Sequence, residues 1–224
     1  MSTSLIYRSV TGYELLMAVL YGRHYRTRLS LVAEQVRPGA SVLELCAGPG
    51  ALYRRHLRER AGTYTGVDIN DGFVAHLQRL GAKAVKLDLT AAAALPEADV
   101  VIMQASLYHF LPTPAEIVDR MLAAARERVI IAEPIRNLAS SRLPFVARLG
   151  RGAADPGAGA GHAQRFTELT LGRVMRSYAR QTVAEFRIPG GREKIYVLDP
   201  RVDPAQPAGP DLRPGHRSDI AVGP

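Results

Sequence analysis

Cysteine and lysine are nearly missing from this 224-residue chain, and long apolar runs are missing altogether. The single cysteine, Cys46, excludes an intramolecular disulfide framework and any zinc cluster built on cysteines. No apolar stretch approaches the roughly 18–20 residues of a membrane span. The opening Met1-Ser2-Thr3-Ser4-Leu5 lacks the basic and then apolar pattern of a secretory signal, so a cytoplasmic protein is expected. His24, His56, His76, His162 and His216 are scattered without ligand spacing, and no metal site is predicted. At roughly 100–200 residues per domain, the length predicts one domain with a small appendage. A chain this long buries about 70% of its unfolded surface and needs no staple.

Positive charge is plentiful, with a formal net charge of +8, and nearly all of it is arginine; the only lysines are Lys83, Lys86 and Lys194. An arginine-rich, lysine-poor balance is what genomic base composition alone can produce. Its distribution is uneven, however: ten arginines fall between Arg136 and Arg192, against only Asp155, Glu168 and Glu185. Such an excess suits an acidic ligand, a membrane surface or RNA without choosing among them.

No internal repeat is visible. From 39 to 132, short β-rich runs alternate with helical stretches, which is how a parallel α/β sheet reads. The runs are 41–46, 64–67, 84–87, 100–103 and 129–132. Helices are predicted over 51–60, 72–80 and 114–125, the last with Thr113 as cap and Pro114 in its first turn. Upstream, 13–36 is amphipathic and helical, and its Tyr13, Tyr21 and Tyr25 are either core filler or pocket lining. Downstream, 150–161 is glycine-rich but lacks G-K-[ST], so it is no phosphate loop and reads as a mobile loop or lid. A helix over 167–178 precedes an antiparallel hairpin, 183–188 and 194–198, turned by Pro189-Gly190-Gly191. From Pro200 onward six of 25 residues are proline, and that tail is expected to be disordered.

The most informative segment is Glu44-Leu45-Cys46-Ala47-Gly48-Pro49-Gly50, which ends a strand and opens a helix. Its glycines permit a tight turn and close approach of a ligand to backbone. By itself it is an ordinary strand-to-helix turn. Asp68 closes the second strand about twenty residues on, where a carboxylate can accept from both ribose hydroxyls, and Asp88 closes the third, beside an adenine edge. Ligands of open α/β sheets bind beyond the carboxyl ends of the strands, so these groups converge on one crevice. A nicotinamide dinucleotide wants a third glycine where this chain has Tyr53, and its pyrophosphate would be repelled by Glu44. S-adenosylmethionine (SAM) has no phosphate, and Glu44 complements its ammonium and sulfonium charges.

In these residues the chain resembles the class I SAM-dependent methyltransferases of small-molecule type. The E-x-x-x-G-x-G at 44–50, the strand-end Asp68, the K-L-D-L at 86–89 and the fourth strand at 98–104 carry the resemblance, which covers about 39–133 and extends to the hairpin near 183–198. It implies a Rossmann-like, seven-stranded, mostly parallel sheet with an antiparallel C-terminal hairpin and helices on both faces. It divides the chain into a helical cap (1–38), a SAM-binding core (39–133), a substrate region (134–181), the hairpin (182–199) and the tail. It implies that Ala47, Gly48 and Gly50 contact the methionine and ribose through their backbone. Asp68 would hold the ribose hydroxyls, Ile69 the adenine face, Asp88 and Leu89 the adenine flanks, and Gln104 the methionine.

The acceptor is less legible. After the fourth strand comes Ser106-Leu107-Tyr108-His109-Phe110, not the Asn/Asp-Pro-Pro-aromatic sequence of exocyclic-amine nucleic-acid methyltransferases. Cytosine C5 methylation needs a nucleophilic cysteine, and Cys46 lies in the cofactor strand, where a buried apolar role is expected. His109 is the candidate base, its ordinary pKa near 6.5 suiting proton removal from a hydroxyl or amine; the other reading is a histidine that buttresses the loop. Tyr13, Tyr21, Tyr108, Glu133 and Arg136 are candidate substrate contacts, and an acidic small molecule is the expected acceptor. Against this stand an RNA or protein methyltransferase using the arginine surface, a non-catalytic SAM-binding module, and a nucleotide-dependent oxidoreductase. The sequence sets no oligomeric state.

Overall fold

The computed structural model describes residues 17, 22–91, 94–135 and 165–203. Tyr13, Tyr21, Arg136, the glycine-rich stretch 150–161 and the tail beyond 203 lie outside the described residues. The elements run α1 (His24–Glu34), β1 (Ser41–Leu45), a π-helical turn (Tyr53–Leu57), β2 (Thr63–Asp68), α2 (Asp71–Arg79), β3 (Lys83–Lys86), β4 (Ala98–Gln104), a 3-10 turn (Leu107–Phe110), α3 (Pro114–Ala124), β5 (Ala125–Pro134), α4 (Glu168–Arg176), β6 (Thr182–Arg187) and β7 (Glu193–Leu198).

All seven strands form one sheet in the order β3-β2-β1-β4-β5-β7-β6. The first five pair in parallel, and β7 is antiparallel to both β5 and β6. Successive strand residues point to opposite faces, so each central strand feeds two cores. Val42, Val100, Ile102, Ile130 and Val197 pack with Leu29 and Val32 of α1 and Leu77 of α2. Leu43, Leu45, Val101, Met103 and Ile131 pack with Ile117 and Met121 of α3 and Leu171 of α4. Burial on both faces is why these strands read as unbroken apolar runs. The register of β5 on β7, Glu133 beside Lys194 and Pro134 beside Glu193, brings the start of β7 to the end of the sheet where β1 and β4 finish.

Helix ends follow their local chemistry. Asn70 caps α2 by accepting from Gly72 N at 2.9 Å and Phe73 N at 3.2 Å. Thr167 and Thr170 form a reciprocal box at the start of α4. Three expectations change. Thr113 stands at the cap of α3 but makes no capping bond, leaving Pro114 to begin the helix. Strand β5 starts at Ala125 because α3 runs directly into it. The helix expected over 51–60 widens into a π-turn, Arg58 N bonding Tyr53 O at 2.9 Å. That wide turn seats both Tyr53 and Leu57 in the core and leaves Arg54, Arg55 and Arg58 outside. Among the described residues no helix is long and apolar enough to cross a membrane.

Candidate active site

Strands β1 and β4 lie side by side, and each is followed by a non-glycine residue in the left-handed region: Cys46 at φ 51° and Ala105 at φ 49°. Strain of this kind is kept where the surroundings enforce it, most often at functional sites. Ala105 N is held by Ala132 O at 2.7 Å and Ala47 N by Val67 O at 3.0 Å. The thiol of Cys46 is pushed up to about 12 by burial and then by the charge of Asp68, so it stays protonated and is no nucleophile.

The loop after β1 spends its own donors. Ala47 N bonds Val67 O, Gly48 N bonds Asp68 Oδ2 at 2.8 Å, Pro49 has no N–H, and Gly50 N bonds Ala47 O at 3.1 Å. An anion-binding nest needs such groups free and convergent. This loop offers none, so it is shaped for a ligand without phosphate at that point. Gly50 is required on two counts, a φ of +74° and a Cβ that would overlap the Leu77 side chain of α2.

Asp68 is buried at the end of β2, where it accepts from Gly48 N and, at 2.9 Å, from Asn70 N. Burial raises its pKa, and these backbone bonds oppose the rise. Ile69 next to it is 52% exposed, an apolar surface facing outward beside a buried acid. Asp88 lies two residues past β3 and is exposed; its Oδ1 accepts from Thr90 N at 2.9 Å and Thr90 Oγ1 at 2.6 Å. Those bonds hold its carboxyl below the usual range. Leu89 is buried beside it.

Glu44 is the buried acid at the end of β1. Tyr64 donates to its Oε2 at 2.6 Å and Gln104 Nε2 to its Oε1 at 2.9 Å. Burial lifts its pKa to about 7 against the lowering effect of those two bonds and of Arg28. Because Glu44 accepts, the Gln104 amide must turn its nitrogen toward it and its oxygen away. That Oε1 is buried and has no partner among the described residues. Glu44, Gln104, Cys46, Ala47, Pro49 and Ala105 line one cavity together with Met17, Tyr25 and Arg28. Of the residues expected around the methionine, Glu44, Ala47 and Gln104 line this cavity, and Gly48 and Gly50 do not.

Sequence reasoning missed three members of this cluster. Tyr64 reaches Glu44 from the neighbouring strand across Gly66, where a Cβ would stand 3.1 Å from the Tyr64 hydroxyl. Arg28, 3% exposed, forms a two-pronged ion pair with Glu193, at 2.6 and 2.8 Å. No signal in the sequence links positions 165 residues apart; the register of β7 does.

On the other face of the sheet, Glu133 is buried and accepts from Leu107 N at 3.0 Å, which fixes the start of the 3-10 turn carrying Tyr108 and His109. Burial pushes Glu133 up to about 8. The rings of Tyr108 and His109 meet at 4.0 Å, and the guanidinium of Arg165 lies 3.4 Å from the centre of the Tyr108 ring. Among the described residues no three His, Cys, Asp or Glu side chains gather as a metal site.

Residues 20–179 match the family model described as Methyltransferase domain. Several solved structures share the fold. Magnesium protoporphyrin IX methyltransferase (ChlM) from Synechocystis PCC 6803, crystallised with bound SAH, is 18% identical, with 86% of this chain and 96% of that one covered and a TM-score of 0.59. N-methyltransferase NodS from Bradyrhizobium japonicum WM9, in complex with S-adenosyl-L-homocysteine, is 12% identical over 79% and 87% of the two chains, at 0.57. A putative methyltransferase of Haloferax volcanii, in complex with the activator Trm112, is 13% identical over 82% and 92%, at 0.61. No curated protein sequence matches this chain.

Proposed function

The chain belongs to the methyltransferase-domain family, and from that premise we propose that it transfers the methyl group of its cofactor, S-adenosyl-L-methionine, to a small-molecule oxygen or nitrogen. The observation that carries this reading is the loop after β1, whose donors at Ala47, Gly48 and Gly50 are all used internally. A pyrophosphate would find no cradle there. The donor set fits a cationic amino acid group: the carboxylate of Glu44 supplies charge, and Gln104 Oε1 is an acceptor awaiting an N–H. Ala47, Gly48 and Gly50 shape the floor through their backbone.

When bound, the cofactor supplies an electrophilic methyl group that passes to an acceptor lone pair as the carbon–sulfur bond breaks. Asp68 would hold the ribose hydroxyls, Ile69 would offer its exposed apolar surface to the adenine face, and Asp88 and Leu89 would flank the adenine. The chain's contribution to rate is alignment and exclusion of water between the ends of β1 and β4, which suffices for much of an in-line displacement with a good leaving group. Where the acceptor is a hydroxyl or a protonated amine, His109 receives its proton at the imidazole. Tyr108 and the buried Glu133 hold that histidine's turn in place.

The likeness in fold to ChlM and NodS supports a small acceptor. A second reading, RNA as acceptor, draws on Arg54 and Arg55 on the π-turn and Arg58 just after it, all exposed. Calorimetric titration with S-adenosylhomocysteine (SAH), then NADH, tests the donor. Saturable SAH binding without NADH binding is expected; the reverse would overturn the proposal. Filter binding across salt tests the second reading, since steeply salt-dependent RNA affinity would favour it.

A further inference from the structure

Arg120 stands on α3, and its Nη1 donates to the backbone oxygen of Leu89 at 2.6 Å. The two meet because Leu89 packs into the same core as Ile117 and Met121 of that helix. The helix is itself fixed from its other neighbour, where the Tyr178 hydroxyl donates to Asp119 Oδ1 at 2.7 Å. The remaining nitrogens of the Arg120 guanidinium, Nε and Nη2, are buried and have no hydrogen-bond partner among the described residues. Buried donors of a cation left unmet oppose folding, and an apolar side chain at this position would avoid that cost. Stability alone therefore does not explain an arginine here, and its one bond, to Leu89, points to the explanation.

The oxygen that Arg120 holds belongs to the peptide unit joining Leu89 to Thr90. The nitrogen of that same unit donates to Asp88 Oδ1 at 2.9 Å. A peptide unit is planar, so a guanidinium on its oxygen and a carboxylate on its nitrogen fix its plane from both edges. The two charges also reinforce each other: a cation at the carbonyl polarises the unit and strengthens its N–H as a donor. Thr90 Oγ1 adds a bond to the same Oδ1 at 2.6 Å. The direction of the whole Asp88 carboxylate, Oδ2 included, thus follows the plane of that peptide. The sheet does not set it, because pairing of β3 with β2 ends at Lys86, two residues earlier.

We propose that Arg120 is a positioning residue for cofactor recognition: through the Leu89–Thr90 peptide it aims the Asp88 carboxylate at the amine of the adenine, and so lets the site tell an aminopurine from an oxopurine. This rests on the reading that Asp88 and Leu89 flank the adenine of SAM. Arg120 touches neither cofactor nor acceptor, and its effect is confined to which base the site accepts.

The test is calorimetric titration of the full chain with SAH and with S-inosylhomocysteine, in which an oxygen replaces the adenine amine. The parent protein is expected to bind SAH about tenfold or more tighter, since a site built to accept from an N–H rejects the analogue lacking it. Arg120→Met should shrink that preference to about threefold or less by weakening SAH alone, with S-inosylhomocysteine affinity unchanged. Arg120→Lys, which keeps a donor for Leu89 O, should restore part of the preference. If the methionine variant does not fold, Arg120→Gln, too short to reach Leu89 O, supplies the same comparison. The proposal is overturned if the parent shows no preference, if the preference survives loss of the Leu89 bond, or if both ligands weaken alike. Failure of SAH itself to bind the parent is a different result, and it overturns the methyltransferase reading instead.

Discussion

Tyr64 and Glu44, on adjacent parallel strands, share a hydrogen bond of 2.6 Å that opposes the burial by which the carboxyl of Glu44 is pushed up to about 7. A cationic donor favours the ionised form, so binding at lower pH must expel a proton. The sign is therefore fixed: SAM affinity rises with pH, by up to about tenfold per unit, and levels off above 7. Calorimetry between pH 5.5 and 8.5 should show this slope, and Glu44→Gln should flatten it. Tyr64→Phe removes a bond that lowers the Glu44 pKa and should move the midpoint upward. A flat profile in the parent protein would remove Glu44 from the donor site.

The same acids act on folding. Glu44 and Glu133 are both raised from the ordinary glutamate value, to about 7 and about 8, chiefly by burial. Acids raised in the folded state hold protons that the unfolded chain has released, so stability falls as pH climbs through that window. Urea midpoints should drop between pH 5 and pH 8, and Glu133→Gln should reduce the drop. A midpoint that rises over this range would contradict both assignments.

How far the sequence was legible depends on the range of each signal. The central sheet and both helix-start signals at Pro114 and Thr167 are local patterns, and β4 appears at the residues expected of it. Glu44 is read from the segment that joins β1 to its helix and Ala47 and Gln104 from the family resemblance, and the three line one cavity because β1 and β4 are neighbours. What stayed hidden depends on register. Tyr64 bonds Glu44 only because the two strands pair in parallel with Gly66 opposite Glu44. Asp88 looked like a strand end, but β3 stops at Lys86 and the acid is taken up by Thr90. A π-turn has no distinctive pattern, since its apolar residues Tyr53 and Leu57 sit at ordinary helical spacing.

Arg28 and Glu193 should show the asymmetry of buried ion pairs. Removing one partner strands a charge in the core and costs about 3–5 kcal/mol, whereas replacing both with apolar residues is close to neutral. Arg28→Met should lower the urea midpoint strongly, and Arg28→Met with Glu193→Leu should recover most of the loss. If the double variant is no more stable than the single one, the pair is not what joins α1 to β7.

Asp68 holds the loop through Gly48 N and Asn70 N, and in the proposed function it also presents an acceptor to the ribose. Asp68→Ala should weaken SAH binding by about 2–4 kcal/mol, the worth of a charge-assisted, two-pronged contact. Asp68→Asn keeps an acceptor but loses the charge and should fall between. Unchanged affinity in Asp68→Ala, measured by calorimetry, would place the ribose elsewhere.

His109 separates a base from a buttress. Its backbone N–H bonds Ser106 O at 3.1 Å and its ring rests on Tyr108, so the side chain is held by contacts that outlast a change in protonation. If it accepts the acceptor's proton, His109→Gln should lower kcat by about 10²–10⁴ while SAH affinity stays the same. The acidic limb of the rate profile, set by loss of neutral imidazole, should vanish with it. A buttress behaves differently: KM for the acceptor rises, kcat falls little, and the acidic limb survives. A carboxylate acceptor that is itself methylated needs no base, and in that case the limb follows the acceptor's own ionisation. Repeating the profile with an acceptor of different pKa therefore decides between the enzyme's proton and the substrate's, because only the substrate's limb moves.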